Sequence, residues 1–365
     1  MTQAENAVRS SVKIIAFNLP QFHPIPENDQ WWGAGFTEWR NVAKARPLFP
    51  GHRQPNLPGE LGFYDMRLGE TLEQQGELAA WGGIDAFCYY HYWFAGRLLL
   101  ERPLEILLSR RTPTLPFCLC WANHSWTNHW AGGPGDILVE QTYPGEEDHR
   151  NHYEYLRRFF HDERYLRVGG KPVLVLFNPT EIPEVAQCVD LLKGWAHEDG
   201  LGGLFLIGIN KSTPSLLKDG FDALAPYSME IALKSYLGGG KRYAHALRRC
   251  LGYPRWVVDY AELARCFENH NYDGLTMLPT VIPNWDNTPR IGRRGLVLAD
   301  SSPDKFAAHL RRSVAGFDDI DDGKERILFI KSWNEWAEGN HLEPDLVYGR
   351  GWLQAVKDFA MELKR

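Results

Sequence analysis

The sequence has no apolar run approaching the ~18 residues of a membrane-spanning helix, so no span is expected. Its polar start, Met1-Thr2-Gln3-Ala4-Glu5-Asn6, lacks the apolar centre of a secretory signal. Lysine and arginine form no long run and the formal net charge is −6, which argues against nucleic acid as a partner. The six cysteines, Cys88, Cys118, Cys120, Cys188, Cys250 and Cys266, include no CxxC pair. Cys118 and Cys120 alternate along a strand rather than taking zinc-ligand spacing. A disulfide framework is not expected in a chain of 365 residues. A GxSxG elbow and an HExxH helix are also missing, and Ser125 beside His124 has no base in useful context. Neither Gly200-Leu201-Gly202-Gly203 nor Gly238-Gly239-Gly240-Lys241 fits a phosphate loop. The reading is therefore of a cytoplasmic chain with no cofactor, no metal and no membrane span.

Aromatic residues are abundant by contrast, at 13% with 14 Trp, and many stand beside polar residues. That usage suits a cleft for sugars, although a large core also consumes aromatics. Eight short strands are predicted at Lys13–Asn18, Asp85–Tyr90, Pro116–Ala122, Pro172–Asn178, Leu204–Ile209, Ala223–Tyr227, Thr276–Ile282 and Arg326–Ser332. Helical patterns intervene at Arg67–Trp81, His149–Phe160, Glu184–His197, Tyr243–Leu251, Tyr260–Phe267 and Pro303–Val314, and Gly351–Leu363 closes the chain. This alternation predicts an α/β fold, a (β/α)8 TIM barrel formed as one domain over residues 1–365, with 1–11 a disordered tail. A doubly wound sheet is the alternative, but it would usually carry a Gly-rich first turn, and Leu19-Pro20-Gln21-Phe22-His23-Pro24 has none. Two βα loops are long, Pro24 to Leu61 and Ser228 to Gly274. The first holds Trp31, Trp32, Phe36, Trp39 and Phe49 and is expected to form part of the cleft wall.

The densest chemistry is Ser332-Trp333-Asn334-Glu335-Trp336-Ala337-Glu338-Gly339, which follows the apolar run Ile327-Leu328-Phe329-Ile330. On a continuing strand Glu335 and Glu338 would point to opposite faces. A helical turn after the strand would put both on one face with Cβ atoms roughly 5–6 Å apart, about what two carboxyls need to act on one glycosidic carbon. Barrel enzymes gather chemistry at the C-terminal ends of their strands. Those ends supply Gln21 and His23; Tyr89, His91 and Tyr92; Trp121, Asn123, His124 and Trp126; Asn178; Trp285; Asn334 and Trp336, with Trp39 from the first long loop. Amides and imidazoles would meet hydroxyls, and ring faces the C–H surfaces of a pyranose. The histidines His23, His91, His124, His129 and His341 are explained by hydroxyl contacts as well as by a metal, so no metal is assigned.

The chain resembles a known family. Asn18-Leu19-Pro20-Gln21-Phe22-His23-Pro24-Ile25-Pro26-Glu27-Asn28-Asp29, Trp31-Trp32-Gly33, Gly35-Phe36-Thr37-Glu38-Trp39 and Phe87-Cys88-Tyr89-Tyr90-His91-Tyr92-Trp93-Phe94 are similar to stretches of the WbsX-type family. So are Leu99-Leu100-Glu101-Arg102-Pro103, Cys120-Trp121-Ala122-Asn123, the Trp333–Gly339 motif and Leu342-Glu343-Pro344. That family is described as glycosyltransferases of surface-polysaccharide clusters. It is also similar to glycoside hydrolase family 99, endo-acting mannosidases and mannanases on a (β/α)8 barrel. The resemblance implies retention of configuration through a 1,2-anhydro sugar. Glu335 would be base toward the sugar 2-hydroxyl and Glu338 the acid at the leaving oxygen. Relatives commonly show Trp-Ala-Asn-Glu-Asn-Trp where this chain has Trp121-Ala122-Asn123-His124-Ser125-Trp126, and an aromatic where it has Asn18. Both departures point to a shifted substrate.

The expected function is that of a family 99-like carbohydrate-active enzyme acting on an oligo- or polysaccharide. A glycosyltransferase of bacterial surface-polysaccharide synthesis is the alternative, and a non-catalytic glycan-binding barrel the third reading. Sugar, linkage, endo or exo action and oligomeric state stay open.

Overall fold

A computed structural model describes residues 12–131, 133–210, 213–238, 240–268, 277–315 and 326–364. The expected tail, residues 1–11, lies outside them, as does Thr276 at the start of the seventh predicted strand.

All eight predicted strands are present and parallel. They are β1 (Lys13–Asn18), β2 (Ala86–Phe94), β3 (Phe117–Trp121), β4 (Lys171–Leu176), β5 (Phe205–Gly208), β6 (Ala223–Leu224), β7 (Thr280–Val281) and β8 (Ile327–Ile330). Their order in the curled sheet is β6-β5-β4-β3-β2-β1-β8-β7, so the last strand lies beside the first, through Ile14–Leu328 and Ala16–Ile330. That consecutive order has no reversal point, unlike a doubly wound sheet. Every residue of β2, β3 and β8 is buried, as expected where a parallel sheet is covered on both faces. Between the two edges, Leu224 forms a single parallel bridge with Met277, and Leu278 N–H donates to Leu224 O at 2.7 Å.

β6 and β7 are shorter than predicted. Pro226 follows β6 almost at once, and Pro279 and Pro283 bracket β7, so the backbone N–H groups a longer ladder needs are missing. The predicted helices are found with ends shifted by at most three residues. Arg102–Arg110 and Met229–Tyr236 are further helices, and Trp256–Asp259 pairs with Leu296–Ala299 in a separate two-stranded parallel sheet. Cys88, Cys118, Cys120 and Cys188 are buried free thiols, whereas Cys250 is exposed.

Candidate active site

The chain after β8 delivers the two acids in two steps. Asn334–Glu335 pairs with Asn340–His341 in a short antiparallel ladder, and Trp336–Glu338 then forms one 3-10 turn. Glu335 caps that 3-10 turn and Glu338 ends it, and both side chains reach the same cleft. The single face expected of the pair is thus reached by a tighter turn than an α-helix. Gly339 ends it at φ +56°, where a Cβ would come within 2.8 Å of Asp286 N. Asp286 N–H donates to Glu338 O at 2.6 Å, which ties the turn to the loop after β7.

Both acids open onto a cleft of about 600 Å³ together with Lys331 and Arg290. Lys331 Nζ donates to both Glu335 oxygens at 2.7 Å and stands 3.8 Å from Glu338 Oε2. The rings of Tyr227, Trp285 and Tyr90 surround that ammonium at 5.4, 5.6 and 5.9 Å from their centroids. Arg290 pairs with Glu338 and with Glu38 Oε2, the latter at 3.1 Å, and Glu38 is wholly buried. Burial opposes ionisation of Glu335, but Lys331, Glu338 and Arg290 outweigh it and hold its pKa below the ordinary carboxylate value. Burial dominates at Glu338, where Arg290 pulls down and the Glu335 charge pushes up, and its pKa rises to about 7. Glu38 is raised too, by burial against the opposing pull of Arg290.

Of the other residues named from sequence, Gln21, Tyr92, His124, Trp126 and Trp285 line the cleft. The rest stand behind it. Strand alternation explains β2: Tyr90 and Tyr92 face the cleft, so Tyr89 and His91 point away. Tyr89 packs edge-on against Phe87 and Phe117, and His91 Nε2 lies 2.9 Å from His152 Nε2. Trp121 donates to Trp93 O, and Asn123 donates to Asn178 O at 2.8 Å and receives Asn178 N–H, a brace between β3 and β4. His23 is buried with Nδ1 on Pro20 O, and burial brings its pKa down to about 4. Trp39 donates to Tyr64 O and packs on Phe22 and Trp336. Trp336 donates to Glu343, and Asn334 Oδ1 receives Leu19 N–H at 2.7 Å. Glu343 itself is buried, bonded also by Tyr64 and Gln75, and burial raises its pKa to about 7.

Expectation also misplaced the wall. No residue of the aromatic loop 24–61 lines the cleft directly: Trp31 stands edge-on to the cleft residue Trp126 at 6.1 Å and Glu38 pairs with Arg290, while Phe49 lines a separate 270 Å³ pocket that Trp285 also lines. It is the loop after β6, through Ser228–Ile231 and Lys234, that lines the cleft. Lys331, Arg290 and Glu38 escaped sequence reading. Lys331 sits four residues before Glu335, just past the end of β8, and that spacing was the available signal. Glu38 stands in the family-like stretch Gly35–Trp39 without having been given a role, and Arg290, 252 residues away, carried no signal. His129 also lines the cleft, and His341 stacks on Trp336 with Nε2 3.1 Å from Asp345. Among the described residues no three His, Cys, Asp or Glu side chains are grouped to hold a metal ion.

In fold, the chain is similar to the glycoside hydrolase family 99 endo-α-mannosidase from Bacteroides thetaiotaomicron, with a TM-score of 0.58 and 13% identity over 96% of this chain and 97% of that one. A second solved structure, described as a glycoside hydrolase-like protein, gives 0.60 at 15% identity over 96% and 94%. In sequence, the uncharacterized protein WxcX from two strains of Xanthomonas campestris pv. campestris is 39% identical over 347 residues, 94% of this chain and 49% of that protein. The chain thus spans about half the length of the curated relatives it matches. A family model described as glycosyltransferase WbsX matches residues 14–356, and the chain belongs to that carbohydrate-active family.

Proposed function

We propose that the chain is a retaining, glycosidase-like enzyme acting on an oligo- or polysaccharide from a single closed (β/α)8 domain, with Glu335 as base and Glu338 as acid. The observation that carries this is the unequal pair: an anionic Glu335 clamped by Lys331 beside a Glu338 raised to about 7, both on one cleft. The wider cluster supports it. Glu38, Glu335 and Glu338 share the cations Arg290 and Lys331, and of the three carboxyls Glu338 is the cleft-facing one whose pKa is raised. Environments that push two carboxyl pKa values apart assign acid and base.

Glu335 would remove the proton of the sugar 2-hydroxyl as O2 attacks the anomeric carbon. The glycosidic C–O bond breaks while Glu338 gives its proton to the departing oxygen. The resulting 1,2-anhydro sugar is opened by water or a sugar hydroxyl, deprotonated by Glu338, and O2 takes its proton back from Glu335. Two inversions at one carbon give retention. No side chain need form a bond to the sugar.

The test measures reducing ends released from an α-mannan and from bacterial surface polysaccharides. Glu335→Gln and Glu338→Gln should each lower turnover by about 10²–10⁴-fold while glycan binding persists. Variants as active as the parent would end this reading. The family's description favours a second one, transfer from an activated donor at the same two acids. Turnover that requires a sugar nucleotide, with none released in its absence, would select it. Glycan binding with no turnover under either condition would select the non-catalytic barrel.

A further inference from the structure

We propose that the helix Lys241–Cys250 docks on an anionic lipid surface. The helix is ten residues long and follows the Met229–Tyr236 helix, whose first turn lines the cleft. At about 100° per residue, Tyr243, Ala246, Leu247, Cys250 and the capping Leu251 fall within a stripe ~140° wide. That stripe is an amphipathic apolar face, yet it is turned to solvent: Tyr243 is 83% exposed, Leu247 67% and Leu251 72%. The residue opposite its centre is His245, which is buried between Tyr236 and Trp256 at ring distances of 6.3 and 5.3 Å. The helix is therefore anchored by its polar back and presents its apolar side outward.

The charge around the stripe says what covers it. Arg242 and Arg249 flank one edge. Lys241 and Arg248 stand further round toward the anchored side, where Lys241 pairs with Glu262 at 2.9 Å and Arg248 donates to Val257 O. Residues 241–255 contain no acid. In a chain of net charge −6 this is a local reversal of sign. Bulky apolar groups edged by arginine fit a surface where acyl chains lie beneath anionic headgroups. No helix among the described residues is long and apolar enough to cross a membrane, so the mode is lying on the surface rather than spanning it. The proposal is independent of the two glutamates, since vesicle binding requires no turnover.

Co-sedimentation of the full chain with vesicles of phosphatidylcholine containing phosphatidylglycerol provides the test. Binding is expected, weakening as salt screens the headgroups, and absent with phosphatidylcholine alone. Leu247→Glu and the pair Arg242→Glu with Arg249→Glu should each weaken it by about tenfold or more. These side chains are exposed, so an unchanged melting temperature would show that the fold is intact. Failure to bind either vesicle overturns the proposal. So does a concentration-dependent dimer that Leu247→Glu dissolves while vesicles are ignored, since that outcome makes the stripe a contact between copies.

Discussion

Glu338 illustrates how a site can be held at a cost to the fold. Its pKa rises from an ordinary 4.5 to about 7, so the folded chain binds that proton more tightly than the unfolded chain does. Stability therefore falls as pH rises from about 4.5 to about 7, and the full penalty is present above that window. At ~1.4 kcal/mol per unit it amounts to about 3 kcal/mol. Glutamine cannot ionise. The melting temperature of Glu338→Gln relative to the parent should accordingly increase from pH 5 to pH 8, and a difference independent of pH would refute the assignment. Activity carries the same sign. A proton donor is lost as pH climbs through about 7, so the rate should decline on that limb. Lys331 governs the other limb, because it helps hold Glu335 below the usual carboxylate range. Lys331→Met should move the acidic limb of the kcat/KM profile upward in pH, as Glu335 becomes harder to ionise.

The turn after β8 converts those side-chain properties into geometry, and Gly339 is its most sensitive point. Its positive φ disfavours any residue with a Cβ, and the space is already filled by Asp286 at 2.8–2.9 Å. Gly339→Ala must push Asp286 away, and with it the 2.6 Å hydrogen bond that fixes Glu338. A loss of about 1–3 kcal/mol in stability is expected, with a larger fall in turnover than in glycan affinity. Thermal melts and kcat against KM would check both. Much of this turn was legible beforehand: an apolar run, then acids at i and i+3, then glycine. What alternation of period two would have added is the direction of β2, where Tyr89 and His91 face outward because Tyr90 and Tyr92 face in. Lys331 could have been read from its place just past β8, four residues before Glu335, but the pairing of Arg290 with Glu38 could not. They meet only because two distant loops converge, and no local pattern encodes a contact across 252 residues.

The closing helix tests whether the chain is one cooperative unit. β1 pairs with β8, which joins the first and last of the eight strands in a single sheet. Gly351–Leu363 then packs beneath the loop after the Gly69–Trp81 helix, where Gly82 and Gly83 leave room for Leu353 and Ala360. Trp352, Leu353, Val356 and Phe359 are each at most 2% exposed. Burying four such side chains contributes roughly 6–12 kcal/mol at ~1.5–3 kcal/mol each, comparable with the ~5–15 kcal/mol that holds a typical domain folded. That gross gain is large against so small a net balance. Ending the chain after Arg350 should abolish the cooperative melt altogether, whereas Phe359→Ala should lower a single transition that all spectroscopic probes share. Two resolved transitions, or a truncated chain that still melts sharply, would show instead that the C-terminal helix and the early strands belong to separable units.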